Sequence, residues 1–286
     1  MSATRTILLV TLLSCCISCS GAERTDVEQQ VVQPQRDQVL FYERPQTLAA
    51  VRKSDLPSPV IVLLENDPWA EVIGSDSPSF ALYEDGMLIQ RAATGFRMTR
   101  LNDGELERIV AALKLDALSR FYGRFEAEDA TDQPEQDLLI YRGERPIFVS
   151  VYGSLKDSKN RSKIPRAVVA AYDALSAFNH PQSRPWLPEN VEVMIWPYEH
   201  ARDASIKWPR EWPGLANPKT VKRGEDSFSI YIPSAKLPEI RAFLKRRSAK
   251  GAVEIDGRKW SASIRFPFPQ ERLWMAPHPE LKNTER

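Results

Sequence analysis

Glycine and cysteine are scarce in this chain, and each scarcity removes a class of chemistry. Only 12 of the 286 residues are glycine, and none of them builds a glycine-rich phosphate loop or a dinucleotide-binding turn. The three cysteines, Cys15, Cys16 and Cys19, all precede residue 20. The body of the protein therefore has no disulfide framework, no thiolate zinc site and no cysteine nucleophile. An excess of one charge is missing too. Lys+Arg number 39 against 38 Asp+Glu, so no whole-molecule field draws the chain to nucleic acid. Neither a G-x-S-x-G elbow nor an H-E-x-x-H helix occurs. His180, His200 and His278 are far apart, in proline-rich or polar surroundings that suit exposed loops. No cofactor and no metal are expected.

What is present begins at the N-terminus. One cation, Arg5, precedes the apolar run from Thr6 to Leu13, and small residues follow through Gly21. That order describes a secretory signal peptide over residues 1–20. Eight to eleven apolar residues make ~12–17 Å of helix, too short for a ~30 Å hydrocarbon core. Leu12-Leu13-Ser14-Cys15 resembles the lipobox of bacterial lipoproteins. The resemblance implies that the Cys15 thiol is acylated and the chain cut before it. Cys19 is the alternative acceptor, with Ser18 in the small position before it but Cys16 where an aliphatic residue is usual. Cleavage after Ser20 would instead release a soluble protein. Several acyl chains on one residue anchor stably, at ~0.8 kcal/mol per buried methylene. Residues 21–57 are polar and read as a tether.

The composition after that, with 42% apolar and 27% charged residues over the whole chain, is that of a globular protein. In a first block, 58–180, Val60–Leu64 has the length and continuity of a strand buried on both faces. Phe80–Tyr83 and Met87–Ile89 flank Asp85-Gly86, a hairpin whose turn is expected to be of the primed type. Asn102 and Glu105 have capping-box spacing, and Leu106, Ile109, Val110 and Leu113 then mark one buried helical face. Leu138–Tyr141 and Ile147–Val151 form a second hairpin. Pro165 suits the first turn of a helix whose inner stripe is Val168, Ala171, Tyr172, Leu175 and Phe178.

The segment Ser79–Gly86, the helix ending near Leu118–Tyr122, Asp132-Gln133-Pro134, the Ile147–Tyr152 strand and the Pro165 helix follow a recurring order. In this order the block resembles an uncharacterised family, a domain of unknown function, found in exported bacterial lipoproteins. The resemblance covers roughly residues 58–180 and implies an envelope location and an α+β fold. It brings no catalytic residues. An insertion at Lys156–Lys163 departs from the simpler family pattern.

A second block, 181–275, follows a proline-rich hinge, and a polar tail, 276–286, follows that. Val191–Trp196 reads as a strand, and Phe228, Ile230 and Ile232 alternate with Ser227, Ser229 and Tyr231 as in a half-buried strand. Ser234 is placed to cap a helix carrying Leu237, Ile240 and Leu244. Val253–Ile255, Asp256-Gly257 and Trp260–Phe266 make another hairpin. The expected class is α+β: a mixed or antiparallel sheet packed by helices, with a smaller second β-α-β-β block.

Charge separates the blocks. Residues 22–180 hold 19 Lys+Arg and 25 Asp+Glu, a net of −6, while 181–286 hold 19 and 13, a net of +6. The blocks either face each other or expose scattered charge. Alternatively, a basic face that includes Lys219, Lys222, Arg223, Lys245, Arg246, Arg247, Lys250, Arg258 and Lys259 meets anionic lipid or glycan. The Trp-Pro segment offers Trp208 and Trp212 as a partner platform or, on the alternative reading, as a satellite core. Lys222 and Arg223 complete the candidate partner surface. Glu126, Glu128, Asp129, Asp132, Glu135 and Asp137 form an acidic loop, read as solvated; calcium binding and acid–base chemistry are its alternatives. The chain is thus expected to be a non-enzymatic envelope lipoprotein that binds an envelope protein, lipid or glycan. A periplasmic hydrolase working through Asp129, Asp132 or Asp137, and an inhibitor or immunity-type protein, are the competing classes.

Overall fold

The computed structural model describes residues 56–142 and 145–274, all within one compact unit. The leader with Cys15 and Cys19, the tether up to residue 55, and the tail lie outside the described residues. Among the described residues no helix is long and apolar enough to cross a membrane.

The continuous apolar run becomes β1 (Pro59–Asn66), the middle of an eight-stranded sheet. It pairs antiparallel with β2 (Phe80–Tyr83) and with β6 (Glu135–Ile140), Val62 lying opposite both Ala81 and Leu139. With a neighbour on each side and side chains covered on each face, Ile61 and Val62 are both fully buried. β3 (Met87–Ala92) and β4 (Gly95–Arg100) continue the meander, and β8 (Arg184–Trp186) adds an edge strand beyond β4. On the other side, β7 (Ile147–Tyr152) pairs antiparallel with β6 and parallel with β5 (Gly123–Glu126), which makes the sheet mixed.

The two Asp-Gly hairpins differ. Gly86 donates its N–H to the Tyr83 carbonyl and alone takes a positive φ, so the first loop is Glu84-Asp85-Gly86 rather than a two-residue primed turn. The second pairs β13 (Val253–Ile255) with β14 (Arg258–Arg265) through Asp256 and Gly257, both at positive φ, as a primed turn requires.

Helices cover one face of the large sheet. α1 (Asp103–Ala112) begins with the expected capping box: Asn102 Oδ1 accepts the Glu105 N–H at 2.9 Å and Glu105 accepts the Asn102 N–H at 3.0 Å. A short α2 (Leu115–Leu118) and α3 (Ser158–Ser162, within the insertion) precede α4 (Arg166–Ser176), where Pro165 sits at the N-cap. Leu106 and Val110 of α1 and Val168, Ala171, Tyr172 and Leu175 of α4 pack on Leu63, Leu82, Leu138 and Val149. The opposite face is closed by the segment 266–274, which lays Phe268 and Trp274 on Val62, Ala81, Tyr83 and Leu139.

A second sheet runs β10 (Ile206–Lys207), β13, β14, β9 (Asn190–Pro197), β12 (Phe228–Pro233), β11 (Val221–Lys222). Only β10 and β13 are parallel. α5 (Leu237–Lys245) packs Leu237, Ile240 and Phe243 on its apolar face. Ser234 does not cap α5. It lies in a 3-10 turn, Ser234–Lys236, its hydroxyl donating to the Pro188 carbonyl at 2.6 Å, and α5 starts beyond it with a proline in its first turn. Proline there removes one of the N–H groups that a helix start leaves unpaired. The fold is α+β, two sheets each packed by helices.

Candidate functional site

The reverse face of the second sheet is polar yet buried. Alternation on β9 turns Val191, Val193 and Ile195 toward α5 and sends Glu192 to the other side, where it is fully buried. Ser229 and Tyr231 of β12 and Arg265 of β14 share that side. Arg223 reaches Glu192 at 2.7 Å, Arg265 grips the other carboxylate oxygen, and Arg265 also meets Glu271 at 2.9 Å. Ser229 donates its hydroxyl to Glu192 as well. Burial opposes the charged form of Glu192, but Arg265 and Arg223 outweigh it and hold the carboxyl below its usual value. Burial also opposes charge on Arg265, and its two acid partners still push its pKa upward. Glu271 belongs to the 3-10 turn Glu271–Leu273 of the segment that covers the large sheet. This chain of alternating charges therefore joins the two sheets. The alternation of β12 implies a half-buried strand with Ser229 on its polar side; Ser229 is fully buried because these charges lie over it.

Beside this network opens a cleft of about 650 Å³, within the ~300–1,000 Å³ range of small-molecule sites. Its walls are the β1–β2 loop, the β3–β4 turn, α5 and the end of β14. The β1–β2 loop is held to the second sheet by Ser77, whose hydroxyl donates to the Phe266 carbonyl at 3.1 Å and accepts the Phe266 N–H at 3.2 Å. The Asp76 carbonyl accepts from Arg265 at 3.2 Å. At the outer end Arg247 pairs with Glu71. On the floor, Phe96 and Phe266 meet edge to face with centroids 5.3 Å apart. The Arg91 guanidinium lies 5.4 Å over Phe96, and that of Arg241 lies 6.0 Å over Phe266. Asp76 accepts the Asp67 N–H at 3.0 Å, and burial raises its carboxyl pKa.

A third constellation lies on the large sheet. The Gln182 N–H lies against His180 Nδ1 at 3.3 Å, and Nε2 of the same ring faces Glu105 at 3.4 Å. Thr99 sits 3.3 Å from the same Nδ1. Hydroxyl, imidazole and carboxylate follow one another as in an activated nucleophile. Thr99, however, is buried, and none of the three lines the cleft. They tie β4 and the start of α1 to the 178–183 turn.

The sequence-based candidates are distributed otherwise. Trp208 and Trp212 are buried, their rings 5.0 Å apart and each edge-on to Phe243. They pack into the core of the second sheet with Leu237, Ile240 and Phe243 of α5 and leave no platform. Arg223 is turned inward to Glu192, while Lys222 stays exposed on β11. The basic face is broken up: Arg247 pairs with Glu71, Arg258 with Glu199 and Asp226, and Arg246 lies over Phe243. His180 is held rather than exposed, His200 is exposed against Tyr198, and His278 lies outside the described residues.

The acidic loop is partly strand. Asp137 is buried in β6 and accepts from Asn66 at 3.2 Å, Asp129 is exposed, and no residue from 126 to 137 lines the cleft. Among the described residues no group of three His, Cys, Asp or Glu could hold a metal ion. The sequence reading missed Arg91, Arg241 and the Glu192–Arg265 pair. For the pair a signal existed, a charged residue inside each of two apolar strands. For the cleft arginines there was none. No family model, characterised protein or solved structure matches the chain.

Proposed function

We propose that this chain is an exported envelope lipoprotein that acts by binding a small molecule in the cleft between its two sheets. The cleft carries the reading: it joins an aromatic floor to cationic walls, and both sheets contribute to it. The leader and Leu12–Cys15 support export and acylation, as does the resemblance of residues 58–180 to exported lipoproteins.

Two measurements test it. Cells carrying Cys15, Cys16 and Cys19 all changed to serine are fractionated beside the wild type. The wild type is expected in the membrane fraction and the variant in the aqueous one, and identical aqueous partitioning overturns the anchor. For binding, thermal unfolding of the detergent-solubilised full chain is followed against size-fractionated envelope extract. A ligand that binds only the folded state raises the midpoint by mass action. A low-mass fraction is expected to raise it, and Ser263→Trp, which fills the cleft, is expected to abolish the shift. No shift with any fraction, or an equal shift in Ser263→Trp, overturns the binding reading.

A further inference from the structure

The charges that wall the cleft do not balance. Arg91, Arg241 and Arg247 stand against Glu71 and Asp76, a surplus of one cation; Arg247 pairs with Glu71, and Asp76, which takes the Asp67 N–H, makes no ion pair among the described residues. Arg91 gives one N–H to the Ser77 carbonyl at 2.8 Å and forms no ion pair among the described residues, although it lies near enough to Asp76 to act on its charge. Arg241 has no hydrogen-bond or ion-pair acceptor among the described residues; its contact is the face of Phe266. A guanidinium over a ring face keeps N–H groups for the oxygens of a carboxylate or phosphate. Both arginines stand on regular elements, Arg91 on β3 and Arg241 on α5, and both are exposed where they line the cleft. Both line the one cleft, Arg91 beside Phe96 and Arg241 beside Phe266, and the two rings touch.

We infer that the cleft takes a small ligand bearing a phosphate or carboxylate on an apolar stem, the anion held by Arg91 and Arg241 and the stem lying on Phe96 and Phe266. This rests on the binding reading above and names its ligand class.

The detergent-solubilised full chain is titrated by calorimetry with phenyl phosphate and with the uncharged benzyl alcohol, at low and high salt. Arg91→Gln, Arg241→Gln and the double variant are measured alongside. Saturable binding of phenyl phosphate is expected, weaker at high salt, roughly tenfold or more weaker in each single variant, and lost in the double variant. Benzyl alcohol is expected to bind at least about tenfold more weakly than phenyl phosphate. Arg241→Gln removes no polar contact, so it keeps the test valid if Arg91→Gln disturbs the loop.

Equal affinity in Arg241→Gln and the wild type, or equal binding of the two probes, overturns the inference. Dihexanoyl-phosphatidylglycerol below its micelle concentration separates the sources of the anion. Arginine-dependent binding of it alongside phenyl phosphate assigns a lipid headgroup, and arginine-dependent binding of phenyl phosphate alone assigns a soluble ligand. If a ligand from the envelope extract still shifts the double variant in a manner blocked by Ser263→Trp, the binding reading stands and the anion falls.

Discussion

Glu192 shows how one side chain comes to depend on residues far along the chain. It is fully buried, and its charge is acceptable there only because Arg223 and Arg265 reach it from other strands. Glu192→Gln keeps the shape and removes the charge, leaving Arg265 to share Glu271 and Arg223 to lose its acid. Breaking one partner out of such a buried group costs about 3–5 kcal/mol, read as a fall in the urea midpoint at unchanged slope. The sign of the pH dependence follows from the lowered carboxyl pKa. The contribution of Glu192 is fully present above its ordinary value of 4.5 and is lost as pH falls through the depressed folded value. The stability gap between wild type and Glu192→Gln is therefore constant from neutrality down to about pH 4.5 and closes only in stronger acid. A gap that narrows at neutral pH would contradict this account. A charged residue between valines was visible in the sequence, but its partners, 31 and 73 positions away, were not.

Strands, helices and turns were more legible, because their signals are local. The capping box at Asn102, the inner stripe of α4 and the alternation of β12 each rest on residues within a few positions of one another. Even so, the same dipeptide met two different surroundings. Gly86 and Gly257 both have positive φ, but a Cβ on Gly86 would lie 2.2 Å from the Leu101 carbonyl oxygen, whereas a Cβ on Gly257 would meet nothing within 4 Å. Gly257→Ala is expected to cost about 1–2 kcal/mol for its left-handed backbone alone. Gly86→Ala adds a clash with main chain that cannot rotate away, so its cost should be clearly larger. Chemical unfolding of the two variants side by side checks the order, and equal costs would show that the 100–101 backbone yields. The turn at Asp85-Gly86 differs from the primed type its dipeptide suggests for a related reason: Asp-Gly permits a primed turn, but β4, pairing with β3, decides the path out of Gly86.

Over the molecule as a whole, the segment 266–274 makes the two sheets depend on each other. It leaves β14 of the smaller sheet and covers the larger one, receiving hydrogen bonds from Tyr83 to the Pro269 carbonyl at 2.9 Å and from Tyr141 to the Leu273 carbonyl at 3.1 Å. Trp274 is almost fully buried at its end. Trp274→Ala is expected to destabilise by about 3–5 kcal/mol and to lower the unfolding midpoint recorded by both near- and far-ultraviolet circular dichroism. A loss under about 1 kcal/mol would mean that the large sheet keeps its reverse face closed without the segment. The opposite net charges of the two halves meet in part directly, as Glu71 with Arg247.

The α+β class and most element positions could be read from the chain, since each is written in short-range periodicity, capping and turn residues. Periodicity says which side of a strand or helix turns inward; it does not say what it will meet there. The burial of Trp208 and Trp212, the Arg223–Glu192–Arg265–Glu271 chain, and the cleft that brings Arg91 and Arg241 to one aromatic floor all arise from faces meeting across long stretches of sequence. Packing sets those encounters, and no local pattern encodes them.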